Sequence, residues 1–348
     1  MPTPRGRLPA LLLAALATCP LSVPLNAQVP ADSGPDRTQA SGETVSLRFA
    51  WPPGITADVV SETSRVRGDE VLHALRITSV MEVLEGEDGG LVIQYRDSEL
   101  VEPDAAPAAV EDPATRFMRA LAEQDLDYRV GGDGELLGIG NLDRIREVME
   151  RELGQMLHQL DSLVAEDGAD GSVREVAANL RGMMDQALSE ETLAQGFAEQ
   201  WSGMVGFWVD ADLDLGVTYT VSSREASPLI PGLILPMEME FGVEERVPCH
   251  ADAAPDSCVL LSILSIPDPE VAGGAVGERL RGLFGATVDF RILTFTQESE
   301  MRVVAEPATL LTHSFSLVSR MGIELEVDGA VQAERQVDES SMILRYRR

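Results

Sequence analysis

Cys249 and Cys258 are the residues of this chain best placed for covalent chemistry. His250 follows the first directly, and the span to Ser257, with Pro255 inside, separates two stretches of alternating apolar and polar residues. In an oxidising compartment such a pair reads as one disulfide closing a hairpin, with two free thiols as the alternative. A zinc site is not expected, because only His250 lies nearby and no second ligand pair has zinc spacing. The remaining histidines are scattered. His73 and His313 each fall on the apolar row of an alternating stretch, where a hydrogen-bonded core or ligand-facing histidine belongs; His158 sits on the polar side of a helical pattern. Asp210, Asp212 and Asp214 have the alternate spacing of oxygen ligands for calcium. However, Val221 stands where an EF-hand loop needs a bidentate glutamate, and Gly216 comes one place too late, so a solvated acidic turn is expected.

Several catalytic classes are excluded or lack their motif. No lysine occurs anywhere, which rules out a Schiff-base or a P-loop lysine. No Gly-x-Ser-x-Gly elbow is present, and Gly138-Ile139-Gly140 precedes a helical pattern without the third glycine of a dinucleotide loop. No catalytic residue, cofactor or essential metal is therefore expected.

Apolar recognition is better represented. Leu229, Ile230, Leu233, Ile234 and Leu235 surround Pro231-Gly232, which forbids a regular helix. This segment is either a flap over an apolar ligand or a kinked buried strand. Met183, Met184 and Met237, with Met149, Met156 and Met239, supply adaptable walls for a lipidic ligand or simply fill a core. The resulting expectation is a non-enzymatic protein that binds an apolar ligand, or a protein partner, between sheet and helices. A structural protein with a filled core is the alternative, and an exported hydrolase the third.

The elements that would position these residues begin with an export signal. Arg5 and Arg7, the apolar run Leu8–Ala17 and the small residue Ala27 have the layout of a secretory signal peptide over 1–27. Leu16-Ala17-Thr18-Cys19 offers a rival, a lipobox with Cys19 acylated. No later stretch is long and apolar enough for a transmembrane helix. The formal charge is −31, and losing the two signal arginines takes it to −33. Such a surface repels nucleic acid and anionic membrane. Localisation in the periplasm or outside the cell is expected, with an envelope protein or a lipid as candidate partner.

Residues 28–43 are polar, rich in Pro, Ser and Asp, and read as a disordered leader. Residues 44–348 read as one α+β domain: a long curved antiparallel sheet with a central helical block, about 141–203, packed on one face. Val45, Leu47, Phe49 and Trp51 alternate as a strand, and Val71, His73, Leu75, Ile77, Met81 and Val83 share one face of a second. Leu91–Tyr95 returns as its hairpin partner, and Gly131-Gly132-Asp133-Gly134 turns a further hairpin. Helices follow from Leu142, from a capping box at Ser172–Glu175, and from a cap at Ser189 leading to Leu193, Phe197 and Trp201. Strands resume at 216–221, 237–244 and 259–264. A short helix near 277–284 precedes three long strands over 288–304, 310–327 and 331–346.

The segments "VSLRF", "DYRVGGDGELLGIGN" and "EPATLLTHSFSLVSRM" together resemble a family of exported bacterial proteins known as a domain of unknown function, often envelope lipoproteins. In element order the chain is also similar to the periplasmic lipoprotein-carrier type of fold, a curved sheet closed by helices over an apolar groove. That resemblance implies a lipid-binding groove; neither supplies catalytic residues.

Overall fold

The structure, a computed structural model, describes residues 42–101, 119–120, 123–152, 154, 178, 181–182, 188–226, 233–284, 290–327 and 330–347. The expected signal peptide, Cys19, nearly all of the leader, His158 and the Ser172–Glu175 capping box lie outside the described residues.

Eleven strands make one sheet. The N-terminal group is β2 (Thr56–Arg67), β3 (Glu70–Glu85), β4 (Leu91–Val101), β5 (Leu126–Val130) and β6 (Leu136–Ile139). The C-terminal group is β8 (Thr218–Ala226), β9 (Ile234–Val247), β10 (Cys258–Pro267), β11 (Phe290–Ala305), β12 (Thr312–Val327) and β13 (Ala330–Tyr346). The order β6-β5-β4-β3-β2-β13-β12-β11-β10-β9-β8 is two antiparallel meanders joined where β13 pairs with β2. A separate two-stranded ribbon pairs β1 (Thr44–Ser46) with β7 (Asp212–Asp214). Helix α1 covers 142–152, α2 Glu190–Met204 and α3 Pro269–Phe284.

The two faces of the sheet differ as period-2 alternation requires. One face carries charge: Arg320 lies 3.0 Å from Glu298 and 3.9 Å from Glu300, and Arg76 lies 3.4 Å from Glu62. These exposed pairs contribute little to stability but keep the face wet. The inner face carries most of the buried side chains of β9, β11 and β12. An antiparallel sheet with one solvated face is the usual outcome of such patterning.

A cap covers one end of the inner face. The Ser189 side chain accepts a hydrogen bond from the Thr192 backbone N–H at 3.2 Å and starts α2, as expected. Trp201, Met204, Val205, Phe207 and Trp208 then join Val45, Leu47, Trp51 and Leu213 against the sheet. Each indole N–H has a carbonyl partner: Trp201 on Gly134, Trp51 on Leu310 and Trp208 on Gly203, at 2.9–3.0 Å. Large aromatic area is thereby buried without an orphaned donor. Gly134 sits at φ +87°, and a Cβ there would meet Phe49 at 2.8 Å, so the β5–β6 turn requires glycine.

Three expectations need correction. The alternation from Val45 to Trp51 is not one long strand: only Thr44–Ser46 pairs, and it pairs with β7 outside the main sheet, while Leu47 and Trp51 remain buried in the cap. Strand β2 was not expected at all, because its inner row, Ala57, Val59, Ser61, Thr63, Arg65 and Arg67, turns polar halfway and hides the alternation. Val71 does not share the face of Leu75. A bulge places it opposite Val66, and it is exposed. The helical block is shown in part, as α1 and α2; most residues between them lie outside the described set.

Candidate ligand-binding face

The inner face holds two apolar fields under two separate covers. Met301, Val303, Phe315, Met342 and Leu344 belong to the field beneath α2. Phe295, Ile323, Leu325, Leu235 and Met237 belong to the other, covered by Ala272 and Val276 of α3. Along β11 the fields are separated by the six residue steps from Phe295 to Met301, about 20 Å at the rise of a strand.

Between them the alternation is kept but its chemistry changes. Ser265, Ser299, Ser319, Asp338 and Arg65 stand in register on β10, β11, β12, β13 and β2, one polar row across five strands. The next row is Gln297, Met321, Gln336 and Arg67. Most of these groups are buried, Ser265 at 1% exposed and Gln336 at 2%, while Asp338, Met321 and Arg67 are half-buried. Ser299 and Ser319 share a hydrogen bond at 3.0 Å. Arg65 Nε donates to Asp338 Oδ1, whose other oxygen accepts from Gln336 Nε2 at 2.7 Å. Arg67 Nε lies 2.8 Å from Glu334 Oε1 but is out of line for a hydrogen bond. Burial pushes the Glu334 carboxyl upward, and Arg67 partly opposes the shift. Among the described residues the belt therefore sets two arginines, Arg65 and Arg67, against two carboxyl groups, Asp338 and Glu334. Among the described residues, Ser265 Oγ, Gln297 Oε1 and Thr63 Oγ1 are buried without a hydrogen-bond partner. An unpaired buried polar group costs about 1–3 kcal/mol, a cost that an apolar side chain at the same position would not carry.

The residues expected at the groove divide clearly. Leu233, Leu235 and Met237 are buried in the α3 field. Ile234 is 64% exposed, on the opposite side of β9 from its two neighbours. Leu229, Ile230, Met183 and Met184 lie outside the described residues. The belt was missed because Ser, Gln and Arg on a strand look solvated in sequence; only the register shows them enclosed and aligned.

Asp210, Asp212 and Asp214 are tied into the protein by its own groups. Arg48 lies 2.9 Å from Asp212 and 3.9 Å from Asp210, and Thr44 Oγ1 donates to Asp214 at 2.7 Å. Hydrogen bonds from Ser46 and Arg48 hold the Asp212 carboxyl below its ordinary range.

Cys249 and Cys258 form the expected disulfide, closing the β9–β10 hairpin with Cα atoms 5.0 Å apart. His313, from the start of β12, packs beside it; its Nε2 lies 3.2 Å from Glu306 Oε1, and its ring is 5.1 Å from that of Tyr346. Among the described residues no helix is long and apolar enough to cross a membrane.

No family model matches the chain, and no curated protein matches it. Among solved structures it is similar to one described as "lipid-protein interactions in lipovitellin", at 9% identity and a TM-score of 0.37. That match covers 85% of this chain and 25% of the other, so the chain spans about a quarter of that protein's length.

Proposed function

We propose that this is an exported, non-catalytic binding protein that holds an amphiphile on its inner sheet face. The acyl chain lies along an apolar field and the polar head meets the belt. The observation that carries this reading is the belt itself: a hydrogen-bonding row, partly unsatisfied, crossing an otherwise apolar enclosed face. A sheet selected only for stability gains nothing from it, since well-packed apolar side chains replace buried ion pairs at no loss. Burying each leucine-sized part of a ligand contributes about 1.5–3 kcal/mol, enough for an acyl chain to be held without any charge contact. The disulfide supports an oxidising, exported location.

Lipid extraction and native mass spectrometry of the purified protein, followed by titration of the stripped protein with a fluorescent fatty acid and a fluorescent monoacylglycerol, test the proposal. Uptake is expected for wild type. It should fall at least tenfold in the double variant Arg65→Leu/Asp338→Leu, which keeps a folded sheet by removing both partners of the pair. The variant Ile234→Asp, on the outer side, should bind as wild type does. A wild type that carries no amphiphile and takes up neither probe overturns the proposal in favour of a filled core. The close packing of Ala272 and Val276 of α3 on Phe295 and Leu325 is what favours that second reading.

A further inference from the structure

The end of the β9–β10 hairpin gathers more than a cross-link. Among the described residues, the Cys249 and Cys258 sulfurs and a ring nitrogen of His313 all lie within 4.8 Å of one another. Cys258 and His313 are buried, and Cys249 is half-buried. His250, next to Cys249 in the loop, is exposed, and its ring centroid is 6.4 Å from that of His313. Glu306 Oε1 lies 3.2 Å from His313 Nε2, a carboxylate contact of the kind that orients a ligating imidazole. The neighbouring sequence offers only His250 as a nitrogen ligand; the fold delivers His313 from β12.

We propose that when the Cys249–Cys258 bond is reduced, Cys249, Cys258, His313 and His250 form a zinc site. Disulfide and metal are then alternative fastenings of the same hairpin. Two sulfur and two imidazole ligands are a common tetrahedral zinc set. The step balances with a thiol reductant: its two thiols become one disulfide while the protein's sulfur–sulfur bond accepts two electrons and two protons. Zinc then displaces both thiol protons and binds the thiolates, with neutral imidazoles completing the coordination. A disulfide oxidant, itself reduced to two thiols as it takes up the two electrons and two protons, forms the protein's sulfur–sulfur bond again and releases the ion.

The test is a cobalt titration of the full chain, reduced with a phosphine that is then removed under nitrogen. Reduced wild type should bind one Co(II) with thiolate-to-metal charge-transfer absorption and the d–d bands of a tetrahedral site, and zinc should displace it. The oxidised protein should show neither signal. His313→Asn, which keeps a polar partner for Glu306, should weaken binding by about tenfold or more, and Glu306→Gln by about tenfold. His250→Ala should weaken affinity and shift the d–d bands while the thiolate bands persist. Circular dichroism of each oxidised variant checks its fold. A reduced wild type without charge-transfer bands overturns the proposal. So do unchanged affinity and spectra in a folded His313→Asn variant, which would mean metal held by the two thiolates alone.

Discussion

Glu199 makes the stability of the α2 cap depend on pH. It is a buried carboxyl on a helix whose neighbours Trp201 and Met204 pack into the main core. Burial pushes its pKa from the ordinary 4.5 to about 7, against a smaller lowering by the hydrogen bond from Gln195. Gln195 Nε2 donates to Glu199 Oε1 at 2.8 Å. Because the folded-state pKa is raised, the folded protein retains the proton that the unfolded chain releases. The stability is therefore complete below about pH 4.5 and is lost as pH rises through about 7. A shift of two to three units corresponds to about 3 kcal/mol, of which about 2.5 falls between pH 5 and pH 8. Glu199→Gln keeps the acceptor for Gln195 and cannot ionise. Relative to wild type it should gain about 2–3 kcal/mol on going from pH 5 to pH 8. Urea unfolding followed by tryptophan fluorescence reads this directly, since Trp201 and Trp208 sit in and just after the same helix. A stability difference that stays constant between the two pH values, or a variant that becomes relatively weaker at pH 8, refutes the reasoning.

Other outcomes follow from the same packing. Cys249→Ser/Cys258→Ser should lower the unfolding free energy by about 2.5–3 kcal/mol, the chain-entropy value for a loop of this length, measured by denaturant unfolding without reductant. Intact mass after alkylation without reductant should show no added label on these cysteines in the wild type. Gly242→Ala should cost about 1–3 kcal/mol, because a Cβ there would stand 2.4 Å from the Val217 carbonyl oxygen; an unchanged melting temperature would contradict it. Arg65→Leu alone should cost about 1.5–3 kcal/mol by leaving half-buried Asp338 with Gln336 but without its cation. The double variant with Asp338→Leu should recover most of that loss in a double-mutant cycle.

The C-terminal meander was legible in the sequence because its strands are long and joined by short turns. The expected 288–304, 310–327 and 331–346 differ from β11, β12 and β13 by at most two residues at either end. Helix α2 was legible for a different reason, since Ser189 and the four-residue spacing of Leu193, Phe197 and Trp201 are local signals. Strand β2 was not, since a strand with Val59 at one end and Arg65 and Arg67 at the other, all facing inward, has no apolar face to detect. Val71 was assigned to the wrong side because a bulge resets alternation and leaves no mark in composition. At the candidate site the sequence marked the apolar parts, Leu233, Leu235 and Met237. It did not mark Ser265, Ser299 or Gln297, nor His313 beside the cysteines. Those residues acquire meaning only from register and from contacts between distant strands.

The junction of the two meanders has a mechanical consequence. Among the described residues of the main sheet, β2–β13 is the only pairing between the two strand groups, and its register sets Ala57 opposite Tyr346 and Arg67 opposite Gln336. The chain enters β2 and leaves β13 at the same end of this seam, where the Arg347 N–H donates to the Thr56 carbonyl at 2.9 Å. Tension applied through residue 56 and the C-terminus would therefore open the seam like a zipper, loading one pair at a time, instead of shearing all eleven pairs together. The last part to be reached is the stretch where Arg65 grips Asp338 and Arg67 faces Gln336, so the zipper's strongest teeth lie at its closed end.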